Sequence, residues 1–474
     1  MQKYEHAFGK NDIRGIYNDD ITEELFYNIG KGYTKWLTEQ NGKKVSELKI
    51  SVCMDARLHS PSLKTALIAG LLNAGVEYIE DLGLAPTPIG YYSEVAHNLD
   101  GAMIITASHN PSEYNGLKMT YSRQTLNEQL IKQVKELTFA NWSELPKTIV
   151  EKDFSTDIIP EYIAEMKEKF GTIGTGIKVV TDSANATGGI VAPQLYKELG
   201  CEVIELFSEP DGRFPNHHPN PSVLSTLETL SKTVVKTGAD VGIAFDGDSD
   251  RIGIVDSHGT PLTGDKLLLI YAMDIIEQNP TIVSEVKCSQ VLYDTINNAG
   301  GNAIMCKTGH GYIKEKMKET NAILGGEMSG HTFFKDRYYG FDDAIYAGCR
   351  MIEIIAKNKK ENPNFKLEDI LEPFTKVYTS DEVRFPCPNH LKKEVLEAMK
   401  SEVENNPDMF GSEIKEIVTL DGMRIVFNGG FALIRQSNTE PVFTLRFEAN
   451  NQEECEQFKT AMTSFLDKCV KAKV

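Results

Sequence analysis

Three carboxylates at alternate positions, Asp246, Asp248 and Asp250, are separated only by Gly247 and Ser249 and followed at once by Arg251. Two carboxylates held ~6 Å apart repel by roughly 3 kcal/mol at an effective dielectric near 20, so a fixed trio calls for a bound cation. Hard oxygen ligands of this kind favour Mg²⁺. A solvated acidic turn is disfavoured, because VGIAF before the trio and RIGIVD after it read as buried strands. An EF-hand is excluded: it needs Gly and Glu where the sixth and twelfth positions counted from Asp246 are Arg251 and Ser257. A metal-dependent phosphatase with Asp246 as nucleophile is the rival chemistry for such a loop.

Three further segments carry reactive or binding groups. TASHNP sets Ser108 in a loop closed by Asn110 and Pro111. A serine hydroxyl needs a base or a metal to become a nucleophile, and His109 and Lys118 are near enough in sequence to help. No G-x-S-x-G elbow is present, so esterase chemistry has no support. GGEMSGH offers Glu327, Ser329 and His331 for hydroxyl binding and proton transfer. RQSNTEP offers Arg435, Ser437, Asn438 and Thr439, a guanidinium fork with small donors suited to a phosphate. Neither a Walker loop nor G-x-G-x-x-G occurs, so nucleotide binding has no motif behind it.

The elements that must position these groups are strands alternating with helices. Residues 49–54 read as a strand, 60–74 as a helix with Pro61 in its first turn, 76–81 as a strand, 86–98 as a helix and 101–106 as the strand that ends in the serine loop. The pattern restarts at 177 and runs to a strand at 241–245 that delivers the carboxylates. It restarts again near 286, with a strand at 302–306, a helix at 312–319 and a short apolar run at 322–324 before GGEMSGH. After about 370 the texture changes to a smaller, largely antiparallel α+β pattern with helices at 391–404 and from 453. The expected organisation is therefore three related mixed α/β domains, 1–155, 156–257 and 258–370, and a C-terminal α+β domain, 371–474.

Length and composition agree. A chain of 474 residues is too long for one compact core, and 41% hydrophobic with 25% charged residues fits folded domains. The net charge of −18 disfavours nucleic acid and acidic lipid as partners. No apolar run long enough for a membrane span and no signal-peptide core is read, so a cytoplasmic location is expected. Eight singly scattered cysteines without a C-x-x-C pair read as reduced, mostly buried thiols.

NDIRG near the start, TASHNP, DGDSDR, KTGH, GEMSGH followed by FFKDRYYGFDD, and SNTEP occur in that order. In this the chain closely resembles the bacterial phosphomannomutase/phosphoglucomutase group of the α-D-phosphohexomutase family, over essentially its whole length. The resemblance implies four domains around a central cleft and an enzyme that interconverts hexose 1-phosphates and hexose 6-phosphates. It implies a phosphoserine at Ser108 whose phosphate joins Asp246, Asp248 and Asp250 around Mg²⁺, and a hexose 1,6-bisphosphate that serves as intermediate and activator. Lys118, Arg14, Arg251 and His331 match family residues thought to assist proton transfer or hold the phosphoserine region, with His109 beside the serine. Lys307, His310, Glu327, Ser329 and the 435–439 loop match sugar and phosphate contacts. Two departures, Asn11 where the family often has Tyr and Ser249 where it often has Gly, leave the carboxylates intact and bear on epimer preference. Phosphoglucosamine mutase is the nearest relative reading, and GEMSGH in place of GEQSGH favours hexose over amino sugar.

Overall fold

A computed structural model of the chain describes residues 2–149, 152–437 and 440–472. Its internal contacts divide it into two units. The first is Met1–Leu262 with Ser329–Thr332 and Phe341–Lys366; the second is Thr263–Met328 with Phe333–Gly340 and Leu367–Val474.

The first unit contains two mixed sheets. In one, the strand order is Ile13–Ile16, Tyr114–Tyr121, Gly101–Ile105, Lys49–Met54, Tyr78–Leu84, with Gln124–Thr125 added to Tyr114–Tyr121. Lys49–Met54 runs parallel to both of its neighbours, while Tyr114–Tyr121 is antiparallel to Gly101–Ile105 and to Ile13–Ile16. Helices Glu23–Asn41 and Ser60–Ala74 cross closely, because a Cβ on Gly70 would lie 2.1 Å from the Tyr27 carbonyl. Leu25, Phe26, Leu63, Leu67 and Leu71 fill the space between that pair and the sheet.

In the second sheet the order is Pro261–Leu262, Ile252–Val255, Val241–Phe245, Lys178–Asp182, Glu202–Leu206. All five residues of Val241–Phe245 are buried, which is why an unbroken apolar run marks the strand in the sequence. Helix Ala344–Glu361 belongs to this unit; its N-cap Asp343 accepts from Tyr162 Oη at 2.8 Å and Tyr196 Oη donates to the Ile345 carbonyl at 3.1 Å.

In the second unit one sheet has the order Asn302–Cys306, Thr281–Glu285, Leu324–Gly326, Thr332–Phe334, with its first two pairings parallel. The last sheet is antiparallel throughout, in the order Tyr378–Thr379, Val442–Ala449, Gly430–Gln436, Met423–Phe427, Ile414–Val418, with Val383–Pro386 also on Val442–Ala449. Val395, Met399, Phe458 and Met462, from Lys392–Asn405 and Gln452–Lys471, cover its apolar side. The expected fold class holds: mixed α/β sheets through the first three quarters of the chain and an antiparallel α+β layer at its end.

Seven of the eight free cysteines are buried and Cys469 is half-buried, as expected of reduced thiols. No helix among the described residues is long and apolar enough to cross a membrane.

Candidate active site

In the hairpin Val241–Phe245 to Ile252–Val255, Phe245 stands opposite Ile252, so residues 246–251 form its loop. Ser249 turns the loop with a left-handed φ of 62° and is held there by a 3.1 Å hydroxyl contact with Thr187. Asp246, Asp248 and Asp250 are buried and bring one oxygen each within 4.8 Å of the others. Asp246 Oδ1 accepts the backbone N–H groups of Asp250 and Arg251 at 3.1 and 3.2 Å, which aims its other oxygen away from the loop.

That other oxygen meets the serine. Ser108 leaves the Gly101–Ile105 strand with its N–H on Thr106 Oγ1 at 2.8 Å and a φ of 48°. Its Oγ donates to Asp246 Oδ2 at 2.8 Å and lies 3.1 Å from His109 Nδ1. The two loops touch through their backbones as well: a Cβ on Gly247 would sit 2.2 Å from the Ser108 carbonyl oxygen, so only glycine lets them meet.

Cationic groups surround the trio. Lys118, on Tyr114–Tyr121, donates to Asp248 Oδ2 at 2.6 Å and also pairs with Asp250 Oδ2. Thr87 gives Asp248 two bonds, its N–H to the carbonyl at 2.8 Å and its hydroxyl to Oδ2 at 2.6 Å. His331 Nε2 stands 3.2 Å from Asp250 Oδ1, Arg251 Nε points at the same ring nitrogen at 3.3 Å, and Ser329 Oγ is 3.1 Å from Nδ1. Arg251 and His331 also form an isolated antiparallel bridge. Arg14 bonds Asn110 Oδ1 at 2.8 Å, reaching the far side of the serine loop, and pairs with Asp12; Asn11 is exposed.

The charges act on one another strongly. Burial, then the charges of Asp250 and Asp248, push the Asp246 carboxyl well above the usual range. Burial works the same way on Asp250, but Lys118 and His331 overcome it and hold that carboxyl well below the range. Lys118 stays protonated far above its ordinary value; burial opposes this, and Asp248 and Asp250 outweigh it. Burial, reinforced by Arg251 and Arg14, pushes His109 far down and leaves its ring neutral. Asp248 Oδ1 is buried and has no hydrogen-bond partner among the described residues. An orphaned carboxylate oxygen within a trio of hard donors fits a divalent cation held by Asp246, Asp248 and Asp250.

The remaining expected residues fall in the second unit. Asp421 Oδ2 accepts Arg435 Nε at 2.9 Å and the Thr308 N–H at 3.2 Å, which joins the KTGH segment to the arginine. Lys307 lies with its Nζ 5.7 Å from the Tyr312 ring centre, and His310 opens helix His310–Thr320. Ser437 Oγ accepts the Glu440 N–H at 3.1 Å, while Asn438 and Thr439 lie outside the described residues. Glu327 belongs to this unit, whereas Ser329 and His331 of the same motif belong to the first.

Lys287 is a group that motif reading passes over. It is 3.5 Å from Glu285, and although burial would lower its pKa, Glu285, Glu327 and Glu382 raise it instead. The lysine stands among the charges of Glu285, Glu327 and Arg435, and its only signal was a lone Lys just after an apolar strand. Thr87 was missed because its partner Asp248 is 161 positions away in sequence.

Four models of the phosphoglucomutase/phosphomannomutase family match in order: alpha/beta/alpha domain I over residues 5–144, domain II over 160–259, domain III over 263–376 and the C-terminal domain over 382–464. A phosphomannomutase/phosphoglucomutase of Pseudomonas aeruginosa is 38% identical over 463 residues, which is 97% of this chain and 95% of that protein. A phosphoglucomutase of Neisseria gonorrhoeae is 35% identical over 468 residues, 97% of this chain and 96% of the relative. Among solved structures, a phosphoglucomutase/phosphomannomutase family protein of Burkholderia thailandensis superposes with a TM-score of 0.86 at 32% identity, covering 98% of this chain and 97% of the other. An N-acetylphosphoglucosamine mutase of Aspergillus fumigatus, at 13% identity and a TM-score of 0.62, covers 98% of this chain and 96% of the other and shares the fold.

Proposed function

We propose, since the chain belongs to the phosphoglucomutase/phosphomannomutase family and is a hexose phosphate mutase, that Ser108 carries the phosphoryl group between the two ends of the sugar. The observation that carries this reading is the Ser108 hydroxyl donating to Asp246, inside a buried carboxylate trio with Lys118, Arg251 and His331 about it. From phosphorylated Ser108, a sugar hydroxyl attacks phosphorus, the Ser108 Oγ–P bond breaks, and the hydroxyl proton is transferred to Oγ. The product is a hexose 1,6-bisphosphate and free Ser108. In the return step Ser108 Oγ attacks the other phosphate, the sugar O–P bond breaks, and the proton goes back to the sugar oxygen.

His109, 3.1 Å from Ser108 Oγ, is a hydrogen-bond partner for the hydroxyl, and Lys118 pairs with both Asp248 and Asp250 and offsets their charge. Arg251 and Arg14 supply positive charge on the phosphoserine side, and His331 a ring nitrogen beside Asp250. Asp246, Asp248 and Asp250 would hold Mg²⁺, which would supply charge neutralisation on the phosphoryl group. Lys287, Lys307, His310, Glu327, Ser329, Arg435 and Ser437 bind the remainder of the hexose phosphate, and a trace of hexose 1,6-bisphosphate keeps Ser108 phosphorylated. The phosphatase reading is disfavoured because both Asp246 oxygens are engaged, one by Ser108 and one by backbone amides.

The test supplies glucose 1-phosphate and mannose 1-phosphate separately, with Mg²⁺ and a trace of glucose 1,6-bisphosphate. Conversion to 6-phosphates without net release of inorganic phosphate is expected, and the two rates set the epimer preference. Stoichiometric release of inorganic phosphate without 6-phosphate would overturn the reading.

Arg435→Ala should lower kcat/KM about ten- to a hundred-fold, the loss of one charge-assisted bond worth roughly 1.5 to 3 kcal/mol. Because Arg435 belongs to the second unit, the phosphoserine content of Ser108 should not change. Intact-mass analysis beside steady-state kinetics checks both, and unimpaired efficiency would put the clamp elsewhere.

A further inference from the structure

A guanidinium has five N–H bonds, and every one of those on Arg57 is engaged. Nε donates to Asp55 Oδ2 at 2.9 Å; Nη1 donates to the carbonyls of Pro111 and Tyr114 at 2.5 and 3.1 Å; Nη2 donates to the carbonyls of Ser108 and Asn110 at 2.9 and 2.7 Å. Four of the five acceptors are thus backbone oxygens of the serine loop and the segment that follows it. The side chain is fully buried.

Its own placement is equally determined. Asp55 follows the strand Lys49–Met54 and donates its N–H to the Ile105 carbonyl at 2.9 Å, beside the strand from which the serine loop departs. Asp55 Oδ1 accepts the Arg57 N–H at 3.0 Å and Ser60 Oγ at 2.7 Å. From the other side the Phe214 ring centre lies 5.2 Å from the Arg57 guanidinium carbon. Gly212, two residues before Phe214, packs so closely that a Cβ there would be 2.3 Å from the Ala56 carbonyl.

With no donor left over, Arg57 cannot bind a phosphate, and it touches neither the carboxylates nor their cationic neighbours. What it can fix is the backbone. Ser108 sits in a left-handed conformation that a non-glycine residue keeps only when its surroundings impose it. We propose that Arg57 is a positioning residue for phosphoryl transfer, and that its five-bond lattice holds the Ser108 loop in the conformation that turns Oγ onto Asp246. The inference rests on the reading of Ser108 as the phosphoryl carrier. Lysine cannot replace it: an ammonium has three N–H bonds from one point and cannot span four carbonyls in a plane.

The experiment compares wild type, Arg57→Lys and Phe214→Leu, each checked for folding by circular dichroism. It reads kcat, KM, Mg²⁺ affinity by calorimetry, and the quenched-flow rate at which glucose 1,6-bisphosphate phosphorylates Ser108. In Arg57→Lys, kcat and the phosphorylation rate should fall together by about a hundred-fold, the scale of a misplacement near 1 Å. KM and Mg²⁺ affinity should stay level, a split that general damage to the fold does not produce. Phe214→Leu keeps all five bonds and loses the ring, so its phosphorylation rate should fall about two- to fivefold; it decides the matter if Arg57→Lys does not fold. Wild-type phosphorylation rates in the folded variants, or KM and Mg²⁺ affinity worsening as much as kcat, would overturn the role of Arg57. A wild-type protein that takes no phosphate on Ser108 would instead overturn the carrier reading, and this inference with it.

Discussion

Ser108→Ala is expected to abolish the phosphate-bearing form of the protein and to lower turnover on the order of a million-fold, the scale seen when a nucleophile is deleted. The serine is the hydroxyl that bonds Asp246 Oδ2, and the Thr87 hydroxyl at the trio is committed to Asp248. Its backbone conformation raises a separate question, because a residue at a φ of 48° could act through loop shape alone. Ser108→Gly answers it. Glycine accepts positive φ without strain, so the loop persists while the hydroxyl is gone, and activity should remain as low as in the alanine variant. Intact-mass spectrometry and the mutase assay measure both. Phosphate found on Asp246 in an active Ser108→Ala protein would transfer the chemistry to the carboxylate.

The second large effect is expected at Asp248. Its Oδ2 is held by Thr87 and Lys118 while its Oδ1 is the orphaned oxygen of the trio, so an amide of the same shape keeps the position and removes the charge. Asp248→Asn should lower kcat/KM on the order of a hundred- to a thousand-fold, comparable with losing one fixed electrostatic contact to a transition state. The Mg²⁺ concentration for half-maximal activity should rise about tenfold or more, since ligand charge sets cation affinity. Melting with a chelator present should give the same temperature as wild type or a higher one. The substitution relieves the repulsion that, after burial, pushes the Asp246 carboxyl up, and Lys118 keeps Asp250. Wild-type activity with an unchanged Mg²⁺ requirement would remove the trio from the metal site.

The strand Lys49–Met54 and the helix Ser60–Ala74 were legible to the residue, because an apolar run and a first-turn proline mark their ends locally. The next strand runs Tyr78–Leu84 where 76–81 was expected; a register shift against Lys49–Met54 at Val52 and Cys53 draws Gly83 and Leu84 into the pairing. The strand Tyr114–Tyr121 was not legible. No element was expected over YNGLKMTY, and its glycine is there because a Cβ on Gly116 would lie 2.1 Å from the Ile13 carbonyl of the neighbouring strand.

The candidate site divides along the same line. Ser108, the carboxylates and His331 stand in compact motifs, so their chemistry could be read from neighbours in sequence. Lys118, 130 positions from Asp248, was singled out by its nearness to Ser108 and by family motif. Thr87 serves Asp248 from 161 positions away, and Arg57 bonds the Ser108 carbonyl from 51. Single residues of that kind acquire meaning only when the sheet has brought their partners to them.

The contact between Gly247 and the Ser108 carbonyl bears on domain exchange. The two loops lie 138 positions apart and in different family domains, yet no side chain fits between them. An insertion, or any residue larger than glycine at 247, displaces the serine as surely as a mutation in TASHNP does. The loops therefore act as one part: a chimaera that joins a foreign first domain to this second one is expected to keep the serine and the carboxylates and to change the distance between them.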